Sequence, residues 1–208
     1  MKTSSSTATG LIAIALAVVA LIGLVFITLF YARGNPFGTL NDICVALGGI
    51  LSGALASSLY SIHRTHDPRM SRFALGSGLL GACLAPIGSA LVIFGVTGWF
   101  LAGLVTTVAY ALIGLWLLAL NSSARRWIAF PHRLARFGIV AGGVMAIGLL
   151  AVPGILTRSD AIESAPWFAV AALVIGGLGW NILYAIWCVW LGRLSLSNRL
   201  LLQASTSA

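Results

Sequence analysis

The chain has 208 residues, 60% of them hydrophobic and 8% charged, and its mean hydropathy is +1.04. Soluble domains are about half apolar and about a quarter charged, so a soluble domain of this composition would expose too much apolar surface to water. The composition therefore predicts a protein surrounded by lipid. The formal net charge of +8 predicts contact with anionic lipid headgroups, and no basic surface interleaved with aromatic residues indicates binding to nucleic acid.

Six apolar runs are long enough to cross a bilayer, whose hydrocarbon core of about 30 Å requires about 20 helical residues. None of them alternates with the two-residue period of a membrane β-strand. The sequence predicts an all-α, polytopic transmembrane bundle that forms a single domain over 1–208. Its six helices are expected near 11–32, 40–61, 74–96, 99–120, 137–157 and 167–191.

Basic residues are concentrated at one end of this predicted bundle. Of the twelve lysines and arginines, only Arg33 and Arg158 fall in loops at the other end. Cytoplasmic loops carry the excess of basic residues in membrane proteins, so the pattern predicts a multi-pass protein of the cell membrane with both termini in the cytoplasm. The basic residues on the predicted cytoplasmic side are Lys2, Arg64, Arg69, Arg72, Arg125, Arg126, Arg133, Arg136, Arg193 and Arg199.

The most basic loop is ARRWIAFPHRLARF, residues 124–137. Pro131 is expected to break it and leave a short interfacial piece before the fifth helix. Arginines in such a segment gain about 1 kcal/mol each from anionic headgroups. We predict lipid-headgroup contact for this loop, with docking of a partner protein as the alternative. The arginines concerned are Arg125, Arg126, Arg133 and Arg136.

The stretch GTLNDICVALGGILSG, residues 38–53, places Asp42 at the head of an apolar run. Thr39 and Asp42 have the spacing of a capping box, in which each side chain accepts a hydrogen bond from the backbone N–H of the other residue. The spacing predicts a helix cap. An ion or proton site at Asp42 is the alternative, and Arg33 is a possible ion-pair partner across the short loop.

Small residues predict where the helices pack. Helices in lipid associate through close backbone approach, and small residues permit it. The predicted third helix has such residues at every fourth position, which places them on one face: Ser77, Gly81, Ala85 and Ser89.

Ionisable groups are scarce within the predicted helices. Helices three to six contain none between their ends, and all three histidines lie in predicted loops. The sequence therefore predicts no cofactor, no metal ion and no catalytic residue. A metal site or a lipid-modifying site at His63, His66 and Asp67 is the alternative, although the arginines in that loop would repel a cation.

Uncharged polar residues at mid-depth form the best candidate site. Asn181 falls near the middle of the predicted sixth helix, and Tyr184 lies three residues further on, which predicts that the two share a face. Thr106, Thr107 and Tyr110 fall around the middle of the fourth helix. These five residues are predicted to line a polar pocket, with hydrogen bonds between helices as the alternative.

Three stretches carry a family resemblance: PFGTLNDI at 36–43, GLLAVPGIL at 148–156 and WNILYAIWCVWLGR at 180–193. In them the chain resembles a family of bacterial six-helix integral membrane proteins, over most of its length. The resemblance implies the same fold and a bacterial inner membrane. It implies no activity, cofactor or catalytic residue.

The sequence favours a non-enzymatic integral membrane protein that acts by helix packing, lipid contact or partner binding. The bilayer itself, a second copy of the chain or another membrane protein would be the partner. A small-molecule carrier or channel with a polar path near Asn181 is the alternative, and a lipid-modifying membrane enzyme is a third hypothesis.

Overall fold

The computed structural model describes residues 2–64, 67–125 and 130–197. Within these ranges 89% of the residues are helical and none belongs to a β-strand. Six of the described helical segments are long and apolar enough to cross a membrane. The predicted all-α bundle of six spanning segments is therefore confirmed.

The first four spanning segments are unbroken helices: α1, Lys2–Arg33; α2, Phe37–His63; α3, Pro68–Ile93; and α4, Trp99–Ala124. The fifth segment changes its winding twice and consists of α5, His132–Ala146, a 3-10 turn, Ile147–Ala151, and α6, Val152–Leu156. A 3-10 turn, Ile162–Ser164, follows in the loop. The sixth segment consists of α7, Trp167–Leu178, a π-helical segment, Gly179–Tyr184, and α8, Ala185–Leu196.

Helices that follow one another in the chain pack side by side, and α8 packs against α1, which closes the bundle. The most enclosed helix is α4, which contacts α2, α3, α5 and α7. The turns at 34–36 and 94–98 and the loop at 157–166 lie at one end of the bundle, which we call the Asp160 end. The first and last described residues lie at the opposite end, which we call the termini end.

The predicted small-residue face of α3 is a packing surface. Gly81, Ala85 and Ser89 are buried. A Cβ atom added to Gly81 would lie 2.4 Å from the carbonyl oxygen of Ala109 in α4, so only glycine permits this approach. Ala85, on the same face, packs closely on α2, where a Cβ on Gly49 would lie 2.7 Å from the Cβ of Ala85.

Helix starts depend on proline more than on the predicted capping box. The N-cap of α2 is Pro36, no side chain caps the helix, and the Leu40 N–H already bonds to the Pro36 carbonyl at 3.2 Å. Thr39 and Asp42 are therefore the third and sixth residues of α2, and the predicted Thr39–Asp42 cap is wrong. Proline favours the first positions of a helix because it has no N–H to leave unpaired and its φ is restricted.

The third helix also begins earlier than expected, at Pro68 rather than near 74. The Asp67 carboxylate accepts a hydrogen bond from the Met70 N–H at 3.2 Å and so caps α3. A capping carboxylate followed by proline at the first helical position is a strong start signal.

Candidate functional site

A cavity of about 140 Å³ lies between α1, α2, α4 and the sixth spanning segment, towards the Asp160 end; we call it the Asp42 cavity. Its polar lining residues come from three segments and are Asn41, Asp42, Thr106, Thr107, Tyr110 and Asn181. Three further aromatic side chains, Tyr31, Trp99 and Trp180, also line it. The cavity thus joins groups that lie up to 150 positions apart in the chain.

Four of the five residues predicted to form a polar pocket, Thr106, Thr107, Tyr110 and Asn181, line this one cavity. The fifth, Tyr184, does not. Its hydroxyl donates to the Oγ of Ser52 at 3.2 Å, and its side chain is fully buried in the core. The expectation that Asn181 and Tyr184 share a face is wrong because both lie in the π-helical segment, where a turn contains more residues than in an α-helix.

Asp42 supplies the only carboxylate in the described lining, which contains no arginine, lysine or histidine. The side chain is half-buried and lies within a spanning helix, of which Asp42 is the sixth residue. The ion-pair partner suggested by the sequence, Arg33, is exposed at the end of α1 and does not line the cavity. Asp42 therefore gives the cavity a negative group without a basic side chain beside it.

The threonine hydroxyls and the Tyr110 hydroxyl that line the cavity donate their protons to backbone carbonyl oxygens. Thr106 and Thr107 both donate to the carbonyl of Gly103, at 3.0 and 2.7 Å, and Tyr110 donates to the carbonyl of Val45 at 2.8 Å. A hydroxyl that donates its proton still has oxygen lone pairs that accept hydrogen bonds. These three side chains therefore offer acceptors to a bound molecule.

Asn181 contributes an acceptor in the same way. Its Nδ2 donates to the Gly177 carbonyl at 2.9 Å, and because a carbonyl can only accept, the amide nitrogen must face it. The Oδ1 atom is buried and has no hydrogen-bond partner among the described residues. A buried carbonyl oxygen without a partner costs about 1–3 kcal/mol, so a bound donor at this position would be favourable.

Aromatic rings close the cavity towards the termini end. The rings of Tyr110 and Trp180 are stacked with centroids 4.1 Å apart and planes inclined by 24°, and both are buried. They lie against Gly48, where an added Cβ would be 2.5 Å from the Tyr110 hydroxyl oxygen. Gly48 thus permits this stack, which forms the floor of the cavity.

A polar pair that was not predicted from the sequence lies below the floor, in the core of the bundle. The Oδ1 of Asn121 accepts a hydrogen bond from Nε1 of Trp187 at 3.3 Å, and its Nδ2 donates to the Leu117 carbonyl at 2.7 Å. The Asn121 side chain also packs against Gly138, where an added Cβ would be 2.4 Å away. An asparagine inside an apolar helix was the available signal, but its position near the predicted helix end suggested a loop.

A groove of about 890 Å³ runs along the outside of α1 and α8. Its walls are apolar, with Leu21, Ile186 and Val189 among them, and Arg193 and Ser197 lie at its termini end. An apolar wall that ends in an arginine suits the acyl chain and headgroup of a lipid.

The predicted headgroup contacts lie at the termini end. Arg125 follows α4 directly, and Arg133 and Arg136 are exposed on the first turns of α5. Arg126 lies outside the described residues. Contact of these arginines with lipid headgroups stays a prediction.

The described residues of the loop predicted as the alternative metal or lipid-modifying site have structural roles. His63 is buried, with Nδ1 3.0 Å from the Leu59 carbonyl oxygen, and Asp67 caps α3. His66 lies outside the described residues. Within the described ranges no group of three or more histidines, cysteines or acidic residues could hold a metal ion.

Comparison of the chain with protein-family models, with curated proteins and with solved structures finds no match.

Proposed function

We propose that this protein is a membrane carrier that binds a small polar molecule in the Asp42 cavity. The observation that carries the proposal is the convergence of Asp42, Asn181 and the two threonines on a cavity inside the spanning region. Asn181 lies at the middle of its spanning segment and Asp42 is the sixth residue of α2, and polar and ionisable groups inside spanning segments usually mark a substrate path. The carrier hypothesis is therefore favoured over a protein that acts by packing alone.

The size of the cavity limits the ligand. A cavity of about 150 Å³ is known to hold benzene, and the Asp42 cavity has about 140 Å³. A solute of roughly five or six non-hydrogen atoms is therefore the expected cargo, whereas a quinone with its isoprenoid tail or a lipid is too large.

The floor of the cavity favours a carrier over a channel. A channel needs a continuous path, but the stacked rings of Tyr110 and Trp180 lie between the cavity and the termini end. Transport past them requires a rearrangement, which is the defining property of alternating access. The π-helical segment that carries Trp180 is a suitable element to move, because such segments are frequent at functional sites.

The charge distribution supports an orientation with both termini in the cytoplasm. In that orientation the Asp42 cavity faces the outside of the cell and receives its solute there. The resemblance to bacterial six-helix proteins supports a bacterial inner membrane as the location.

Lipid contact or partner binding is the second candidate function, favoured by the groove along α1 and α8. An anionic phospholipid would place its acyl chain against Leu21 and Ile186 and its headgroup near Arg193. A second copy of the chain or another membrane protein could cover the same surface. A carrier can also bind lipid there, so the two functions do not exclude each other.

Transport into proteoliposomes tests the carrier. Purified full-length protein is reconstituted, and the uptake of glycerol, lactate, glycine and methylammonium is compared with that of protein-free liposomes. We expect faster uptake of at least one solute, reduced to background by Asn181→Leu. The control is Ile175→Leu, because Ile175 is an exposed residue of α7 that does not line the cavity.

The carrier proposal is overturned if none of the four solutes enters faster and none raises the unfolding temperature of the protein. It is also overturned if Asn181→Leu, shown to be folded, transports as well as the unmodified chain.

A further inference from the structure

We infer that the Asp42 cavity selects a small organic cation with one positive charge, an amine in its protonated or quaternary form. This inference rests on the proposed function and names the chemical class of its solute. Charge, hydrogen-bond capacity, aromatic lining and volume each support it.

The charge of the cavity favours a cation. Among the residues that the structure describes, Asp42 is the single carboxylate of the lining, and no lysine, arginine or histidine lines the cavity. A half-buried carboxylate is stabilised by a positive group placed beside it. One monovalent cation would neutralise the site, whereas an anion would add a second negative charge to it.

The hydrogen bonds made by the lining hydroxyls also favour a cation. The hydroxyls of Thr106, Thr107 and Tyr110 all donate to backbone carbonyls. The Oδ1 of Asn181 is buried and has no partner among the described residues. The Asp42 carboxylate and the oxygens of these three hydroxyls therefore act as acceptors, which an ammonium group satisfies because it has only donors.

Aromatic side chains in the lining favour an organic cation. Tyr31 and Trp99 meet edge to face, with ring centroids 5.9 Å apart, and both line the cavity. Trp180 lies at the floor, where the stacked ring of Tyr110 covers one face of it, so the contact with a cation is assigned to Tyr31 and Trp99. Tryptophan and tyrosine faces attract organic cations, and aromatic cages are the usual binding sites of quaternary ammonium groups.

Volume distinguishes an organic cation from a metal ion. Metal cations are held by several oxygen atoms, at about 2.0–2.6 Å for Mg²⁺ and Ca²⁺. A cavity of about 140 Å³ with aromatic walls is much larger than such a coordination sphere. It matches an ammonium group that carries a few carbon atoms.

Binding of tetramethylammonium to the purified full-length protein in lipid nanodiscs tests the inference. Unfolding temperature and calorimetric titration are measured with tetramethylammonium chloride, with sodium chloride at the same ionic strength, and with tert-butanol, a neutral molecule of similar size. We expect saturable binding of tetramethylammonium and no saturable binding of tert-butanol.

Two variants and one control locate the site. Asp42→Asn is expected to weaken tetramethylammonium binding at least about tenfold, because it removes the charge and keeps the shape. Glu163→Gln removes an equal charge from the exposed loop at the same end of the bundle and should leave the affinity unchanged. If Asp42→Asn does not fold, Trp99→Leu takes its place and should weaken binding by losing a cation–π contact.

Three results would contradict the cation inference. If tert-butanol binds as well as tetramethylammonium, the cavity binds solutes but the cation inference is wrong. If only sodium chloride stabilises the protein, the site takes an inorganic cation and the inference is again wrong. If neither tetramethylammonium nor tert-butanol binds, the cation inference fails, whereas the carrier fails only if glycerol, lactate, glycine and methylammonium are also neither transported nor stabilising.

Discussion

The carboxylate of Asp160 caps α4 by accepting a hydrogen bond from the Gly98 N–H at 2.8 Å, although the two residues lie 62 positions apart. Its second oxygen accepts from the Leu101 N–H at 3.2 Å. Gly98 is the N-cap residue and has no side chain with which to cap the helix, so a residue of the distant loop supplies the carboxylate. The positive end of the helix dipole favours it there.

Asp160→Ala should therefore lower the free energy of unfolding by about 0.5–2 kcal/mol, the usual cost of a lost N-cap. The effect is expected at the lower end of that range because Asp160 is exposed. Thermal unfolding in detergent measures it. Glu163→Ala is the control, since it removes an exposed acidic side chain from the same loop; equal effects of the two substitutions would contradict the capping role.

Gly81→Ala should destabilise the bundle by about 1–3 kcal/mol, because the added methyl group would overlap the Ala109 carbonyl oxygen and separate α3 from α4. The matched control is Gly76→Ala in the same helix, where nothing lies within 4 Å of the added Cβ. That substitution should be neutral or stabilising by about 0.5–1 kcal/mol, because alanine favours helix. Chemical denaturation in mixed micelles measures both, and a similar change for the two would refute the close α3–α4 contact.

The bond between Asn121 and Trp187 should appear as a coupling energy in a double-mutant cycle. Asn121→Ala and Trp187→Phe each remove one partner of the 3.3 Å hydrogen bond. Comparable bonds inside membrane proteins contribute about 0.6 kcal/mol on average and up to about 1.7. We expect a coupling in this range from the unfolding of the two single variants and the double variant, and additive effects would show that the bond contributes nothing.

Asp42→Asn should raise the unfolding temperature of the protein without ligand. The substitution removes a charge from a half-buried position whose described surroundings contain no basic side chain, and charge burial without a partner is unfavourable. If Asp42 capped the helix, the substitution would instead lower the unfolding temperature. The measurement is a thermal scan in buffer free of amines, and a lower unfolding temperature would restore the capping interpretation.

Most of the fold follows from composition, because a helix in lipid must satisfy its own backbone hydrogen bonds and must be long enough to span the bilayer. The ends of the helices were less predictable. The fifth segment begins at His132 rather than near 137 because its first turns are amphipathic: Leu134 and Ala135 are buried while Arg133 and Arg136 are exposed. A search for continuous apolar runs overlooks such turns.

The polar residues of the site were recognisable singly, since each polar side chain in an apolar helix needs a partner. Their convergence on one cavity was not predictable, because it depends on the orientation of α2 about its axis relative to α4 and the sixth segment. Asp42 shows this clearly: its local spacing from Thr39 suggested a cap, whereas α2 begins at Phe37, directly after the N-cap Pro36, and its packing turns Asp42 towards Thr106 and Asn181. The Asp160 cap was unpredictable for the same reason, as it joins two loops.

The π-helical segment has a consequence for the register of the last spanning segment. Each turn there contains more residues than an α-helical turn, so Gly179–Tyr184 acts as an inserted residue that rotates everything after it. Asn181 can face the cavity while Tyr184 and Trp187 face Ser52 and Asn121 in the core. An uninterrupted α-helix of the same sequence could orient either Asn181 towards the cavity or Tyr184 and Trp187 towards the core, but not both. Deletion of a single residue from this segment would therefore disrupt either the cavity lining or the core contacts.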